Sequence, residues 1–73
     1  MDLHEFVSAD SPTLFVAARA SDPALIPAAA RVCCREWVYH RPFRAGDGSH
    51  PADLAESIVY QVAAVGYLIY KRT

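Results

Sequence analysis

Cys33, Cys34, His40 and His50 are of the types that ligate metals. Their spacing argues against a site. Adjacent side chains leave the backbone in different directions, and zinc signatures separate their cysteines by about two to four residues. Small buried or half-buried side chains are the better reading of Cys33 and Cys34, and no metal or cofactor is expected. The same pair fails as a nucleophile. Arg31 and Arg35 can lower a thiol pKa, but activation also needs a base oriented by a third group, and the spacing places none. His50, next to a predicted helix start, reads as a surface residue. Asp53 and Glu56 are three apart and can share a helix edge, where capping and solubility account for them. Gly46-Asp47-Gly48 is a turn signal. A phosphate loop needs more residues between its glycines and a Lys-Ser or Lys-Thr end, and Asp47 would repel the phosphate. No catalytic set emerges, so a non-enzymatic protein is expected.

The stretch from Arg31 to Arg44 carries the most functional character. Trp37, Tyr39 and Phe43 interleave there with Arg35, Arg41 and Arg44. Arginines and aromatics are common anchors of protein interfaces, and aromatics on a strand can also stack bases. The competing reading has Trp37 and Phe43 building the core while the arginines dress its edge. Charge separates the partner classes. The chain has 7 basic and 8 acidic residues, a formal charge of −1. Strong general binding of DNA or RNA needs a clear basic field, so it is not expected. The distribution is uneven, however. Asp2, Glu5 and Asp10 make the start acidic, whereas four arginines face only Glu36 between 31 and 44. The predicted partner-binding set is Arg31, Arg35, Trp37, Arg41, Phe43 and Arg44, directed at a larger protein.

The elements that must position these residues follow from local pattern. Leu54, Ala55, Ile58, Val59, Val62 and Val65 fall on one face of a helix from about Pro51 to Val65. Ser49 is its expected cap, with His50 and Pro51 in the first turn. Gly66 ends the helix, and Tyr67 to Lys71 reads as a strand. Trp37 to Phe43 is extended, with Val38 and His40 on one side and Trp37, Tyr39, Arg41 and Phe43 on the other. Pro42 makes this an edge strand or its end. Thr13 to Arg19 is a third strand, from Leu14, Phe15 and Val16. Ser21-Asp22-Pro23 starts a bent segment, with a regular helix expected from Pro27 to Cys34, because Pro27 cannot continue one begun at Pro23. Leu3, Phe6 and Val7 fit a helical turn or a flap. The predicted architecture is a small α+β domain over residues 1–73, a short sheet with one or two packed helices, and residues 1–12 a loosely packed arm.

A hydrophobic share of 53% in 73 residues excludes an ordinary disordered tail. Much of that share is alanine, which buries little area, so net stability is small and a partner or second copy would add to it. The acidic start lacks the basic region of a signal peptide, and the last apolar run is too short and polar to span a bilayer; a cytoplasmic protein is expected. In size and general type the chain resembles small bacteriophage proteins that regulate host enzymes, compact regulators of RNA polymerase among them. That resemblance rests on no motif. It implies a transcription regulator in the host cytoplasm that binds bacterial RNA polymerase, inhibits host promoter use and promotes antitermination. The alternative class is a small oligomerising structural or accessory protein, a homodimer for example, with Tyr67 to Tyr70 pairing across copies.

Overall fold

The computed structural model describes residues 2–32 and 34–72. Four strands form one antiparallel sheet: β1 (Asp2–Ser8), β2 (Leu14–Ala18), β3 (Trp37–Arg44) and β4 (Tyr67–Lys71), in the order β3-β1-β2-β4. One helix, α1 (Ala52–Val65), connects β3 at one edge to β4 at the other. The fold is α+β.

The first departure from expectation is β1. Residues 2–8 are neither a helical turn nor a loose arm but an interior strand, paired to β2 and to β3. Its sequence suits that place. Leu3 and Val7 point to one face and Phe6 to the other, so apolar side chains serve both covered faces. On the first face Leu3, Phe15, Ala17, Phe43 and Tyr70 pack beneath Ile58 and Val62 of α1. On the second, Phe6, Val16, Ala18 and Trp37 pack beneath Ile26, Ala30 and Cys34.

The segment over the second face is not the regular helix predicted from Pro27 to Cys34. Two short 3-10 turns take its place, Pro23–Leu25 and Ala28–Val32. Asp22 caps the first as expected, accepting from the Ala24 N–H at 2.9 Å. Pro27 has no N–H to bond back to Pro23, so bonding restarts after it with three-residue spacing. Ile26 bonds to Pro23 and Ala30 to Pro27. Arg31 and Arg35 therefore do not share the face of one α-helix.

α1 and β4 run where local pattern places them, with Ile58 and Val62 buried and Leu54 half-buried. Val65, read as a core position, is largely exposed. Gly66 takes the left-handed conformation, φ 96°, and its N–H closes the helix on the Val62 carbonyl. A side chain there would be strained and would stand 3.4 Å from Pro27 Cγ. The helix start differs from expectation. Pro51 holds the cap position and Ser49 makes no cap bond, because its side chain is engaged elsewhere. Among the described residues, no helix is long and apolar enough to cross a membrane.

β3 contains a bulge, and it redistributes the predicted faces. The register to β1 shifts between Glu5 and Phe6, leaving His40 as the extra residue. Beyond a bulge the alternation is inverted. Trp37 and Tyr39 consequently lie on the face of Phe6, whereas Arg41 and Phe43 lie under α1.

A contrast on α1 tests the packing. Ile58 is fully buried and Tyr60 is exposed. Ile58→Asp places an unpaired charge in the core, a cost of several kcal/mol and comparable to the whole stability of so small a domain. It is expected to abolish the cooperative melt followed by circular dichroism, whereas Tyr60→Asp keeps it. Equal melting midpoints for the two variants would contradict the placement of α1.

Candidate functional site

Glu5 lies on β1 between Leu3 and Val7, on the face under α1. Its side chain is 0% exposed. Four hydrogen-bond donors and a nearby histidine reach it from distant parts of the chain. Arg41 stands opposite it in the β1–β3 register, and Arg41 Nε donates to Oε1 at 3.0 Å. The bulge turns His40 to the same side, with Nε2 3.9 Å from Oε1. His50, just before α1, brings Nε2 to 2.8 Å from Oε2. An ionised carboxylate only accepts, so this nitrogen carries the proton. The hydroxyl of Tyr70, from β4, donates to Oε2. Arg72 Nη1 completes the ring at 3.4 and 3.5 Å from the two oxygens.

Aromatic rings hold these groups in place. His50 stands edge-on to Tyr70, with centroids 5.4 Å apart, and packs against Phe43 at 4.7 Å. Phe15 stacks on Tyr70, and the Arg72 guanidinium lies 5.8 Å over its ring. Ser49 joins the two arginines: its hydroxyl accepts from Arg41 Nη1 and its carbonyl from Arg72 Nη2, each at 3.3 Å. The turn that presents Ser49 is pinned by Asp47. Hydrogen bonds from the Ser49 side chain and from the Arg44 and Ser49 N–H groups bring its carboxyl down to about 2. His50 is thus a buried partner of Glu5 rather than the expected surface residue.

Burial pushes the Glu5 carboxyl up, but the hydrogen bonds from Tyr70, His50 and Arg41, with the charge of Arg41, outweigh it. The group titrates below its ordinary value. Tyr70 moves the other way, raised by burial and by its bond to the Glu5 charge. The cluster therefore holds a carboxylate and a neutral phenol at neutral pH. Its hydrogen bonds are directed inward. Among the described residues, no buried side-chain nitrogen or oxygen lacks a partner. A general base needs a lone pair within reach of its substrate. Glu5 has no exposed surface, and the parts of the cluster that meet solvent are His40 and the outer edges of Arg41 and Arg72, each arginine side chain 35% exposed.

The residues predicted as one partner-binding set fall in three places. Arg31, Arg35 and Trp37 line a hollow of about 220 Å³ with Pro23, Ala24 and Glu36. Arg31 donates to the Pro23 carbonyl at 3.0 Å. Arg41 belongs to the Glu5 cluster. Arg44 is exposed and pairs with Asp2 at 2.6 Å. Trp37 and Phe43 are core residues on opposite faces, 4% and 6% exposed, and neither is open as an anchor. The Trp37 indole is also engaged, donating to the Ala30 carbonyl at 3.3 Å. Cys34 is buried, its sulfur 3.0 Å from Ser8 Oγ and 2.7 Å from the Glu36 carbonyl. Cys33 lies outside the described residues. Among those described, no three His, Cys, Asp or Glu side chains are grouped to hold a metal.

Sequence reading missed Glu5, Tyr70 and Arg72 as a unit. One signal was present: if residues 2–8 form a strand, Glu5 must share a face with Leu3 and Val7, and a carboxylate between two apolar residues calls for a cation opposite. No protein-family model, curated protein or solved structure matches the chain.

The lowered pKa of Glu5 sets the direction of acid sensitivity. Its stabilising contribution is complete above the ordinary carboxylate value of about 4.5 and is lost as pH falls through the lower folded value. The melting midpoint of the parent is expected to drop on acidification through that range. Glu5→Gln should be less stable by about 3 kcal/mol at neutral pH, with a flatter acid limb. An acid limb identical to the parent's would remove Glu5 as its source.

The arginines should separate as well. Arg41→Glu sets a second carboxylate beside Glu5 and is expected to unfold the protein, whereas the exposed Arg44→Glu is tolerated. Arg41, predicted as a partner contact, thus serves the fold. Equal stability of the two variants in thermal melts would contradict the cluster.

Proposed function

We propose that the protein is a non-enzymatic, cytoplasmic regulator that binds a larger protein through the surface of its two 3-10 turns. The observation that carries this reading is the composition of that surface. Leu25 and Val32 stand 68% and 86% exposed on the two turns, and the exposed Arg31 and Arg35 line the hollow beside them. Exposed apolar side chains flanked by arginines fit an interface that buries an apolar centre and meets an acidic rim. The surface is narrower than the stretch read from sequence, since Trp37 supports the hollow from beneath while Arg41 and Phe43 serve the fold.

Bacterial RNA polymerase is the partner to test first. The ground is the resemblance in size and type to phage regulators, with inhibition of host promoter use and antitermination as the corresponding activities. Charge supports a protein over a nucleic acid, since the whole chain is close to neutral.

Gel filtration and calorimetry with purified polymerase are the test. The parent should form a complex in the absence of nucleic acid. Arg31→Glu with Arg35→Glu should weaken it by about tenfold or more while leaving the melt unchanged, because both side chains are exposed. A folded double variant that binds as the parent does would sink the surface. No complex with the parent would sink the named partner.

A further inference from the structure

The two edges of the sheet are built differently. β3 carries a bulge at His40, a proline at 42 and charged residues at 41 and 44, features that discourage another strand from adding to an edge. β4 reads Tyr67-Leu68-Ile69-Tyr70-Lys71, without proline, glycine or bulge. Its apolar residues are also incompletely covered. Tyr67, Leu68 and Ile69 remain half-buried, although they pack against the cores of both faces.

The backbone defines what the β4 edge presents. The Arg72 N–H bonds inward to the Thr13 carbonyl. In an antiparallel ladder successive residues alternate, so Leu68 and Tyr70 also bond inward and Tyr67, Ile69 and Lys71 present both N–H and C=O outward. We propose that a second copy of this chain covers this edge by antiparallel pairing of β4 with its own β4, centred on Ile69. That register is self-complementary. Ile69 meets Ile69 of the second copy, and Tyr67 meets Lys71, so all outward groups of the strand find partners. No like charges stand opposite one another, and Leu68 meets Tyr70 across the first face. The two sheets join into one of eight strands with the bulged β3 at each end. Symmetry of this kind closes at two copies and leaves no further open edge of the β4 type.

The test reads the full chain by sedimentation and by amide hydrogen exchange, from micromolar to millimolar concentration. A dimer should form with concentration. Protection should rise with it at the Tyr67, Ile69 and Lys71 amides, while Leu68 and Tyr70 are protected throughout. Ile69→Pro removes an outward N–H and no bond to β2, and should weaken association by about tenfold or more. The exchange pattern of the unmodified chain decides the matter should that variant fail to fold. A monomer at millimolar concentration overturns the proposal, as does a dimer whose three outward amides stay unprotected. Protection at those amides only on addition of a different protein would equally overturn it, assigning the edge to that partner.

Discussion

An ionised carboxylate in the interior of a 73-residue protein imposes a demand that the rest of the structure meets. Removing such a charge from water costs several kcal/mol even after relaxation, and an unpaired one would consume most of the stability of a small domain. Glu5 is matched by donors from β3, from the loop before α1, from β4 and from the residue after it. The first strand and the end of the chain are thereby held together, and so is the start of the helix. The bulge in β3 and the placing of His50 ahead of α1 deliver side chains to this one group, and the turn at Asp47 presents Ser49 to its two arginines.

An apolar residue at position 5 would avoid the desolvation cost altogether. What the carboxylate adds is register. A slip of one residue along β1 would carry Glu5 to the opposite face, among Val16, Ile26 and Trp37, whose environment is apolar. Hydrophobic contacts alone discriminate weakly here, because β1 has large apolar residues on both faces. Leu3 and Phe6 could each find a core after a slip; Glu5 could not. The buried charge thus gives the central strand a single acceptable pairing.

The two faces of the sheet are covered by unlike material. α1 supplies branched side chains to the first face and closes with a glycine whose backbone conformation suits the sharp entry into β4. The second face is roofed by short turns interrupted by Pro27, which contribute Ile26 and Ala30 and leave Leu25 and Val32 outside. Short 3-10 segments make few internal hydrogen bonds and rely on what they pack against. The charged cluster secures the sheet beneath α1, while the exposed apolar and cationic residues lie on the opposite roof.

Local chemistry was enough for the elements that carry their own punctuation. The spacing of Leu54, Ile58 and Val62 and the stop at Gly66 determined α1 and β4, and runs of β-branched and aromatic residues determined β2 and β3. The α+β class followed from their order. Residues 2–8 were read as a helical turn or a flap because three apolar residues among acids carry no clear local period, and pairing on both sides makes them a strand. The 3-10 turns were hidden by alanine, whose helix propensity says nothing about the bond that Pro27 cannot make. The site was the least legible part. Arg41 and His50 were noticed as an anchor and a surface residue, and Glu5 as one acid among several. The sequence by itself determined that Leu54, Ile58 and Val62 share a face of α1, since helical period is local, whereas the bulge in β3 inverted the alternation read there. Tertiary structure decided what stands across from each face. The burial of Glu5, and with it the roles of Arg41, His50, Tyr70 and Arg72, depends on groups up to 67 residues apart meeting at one point.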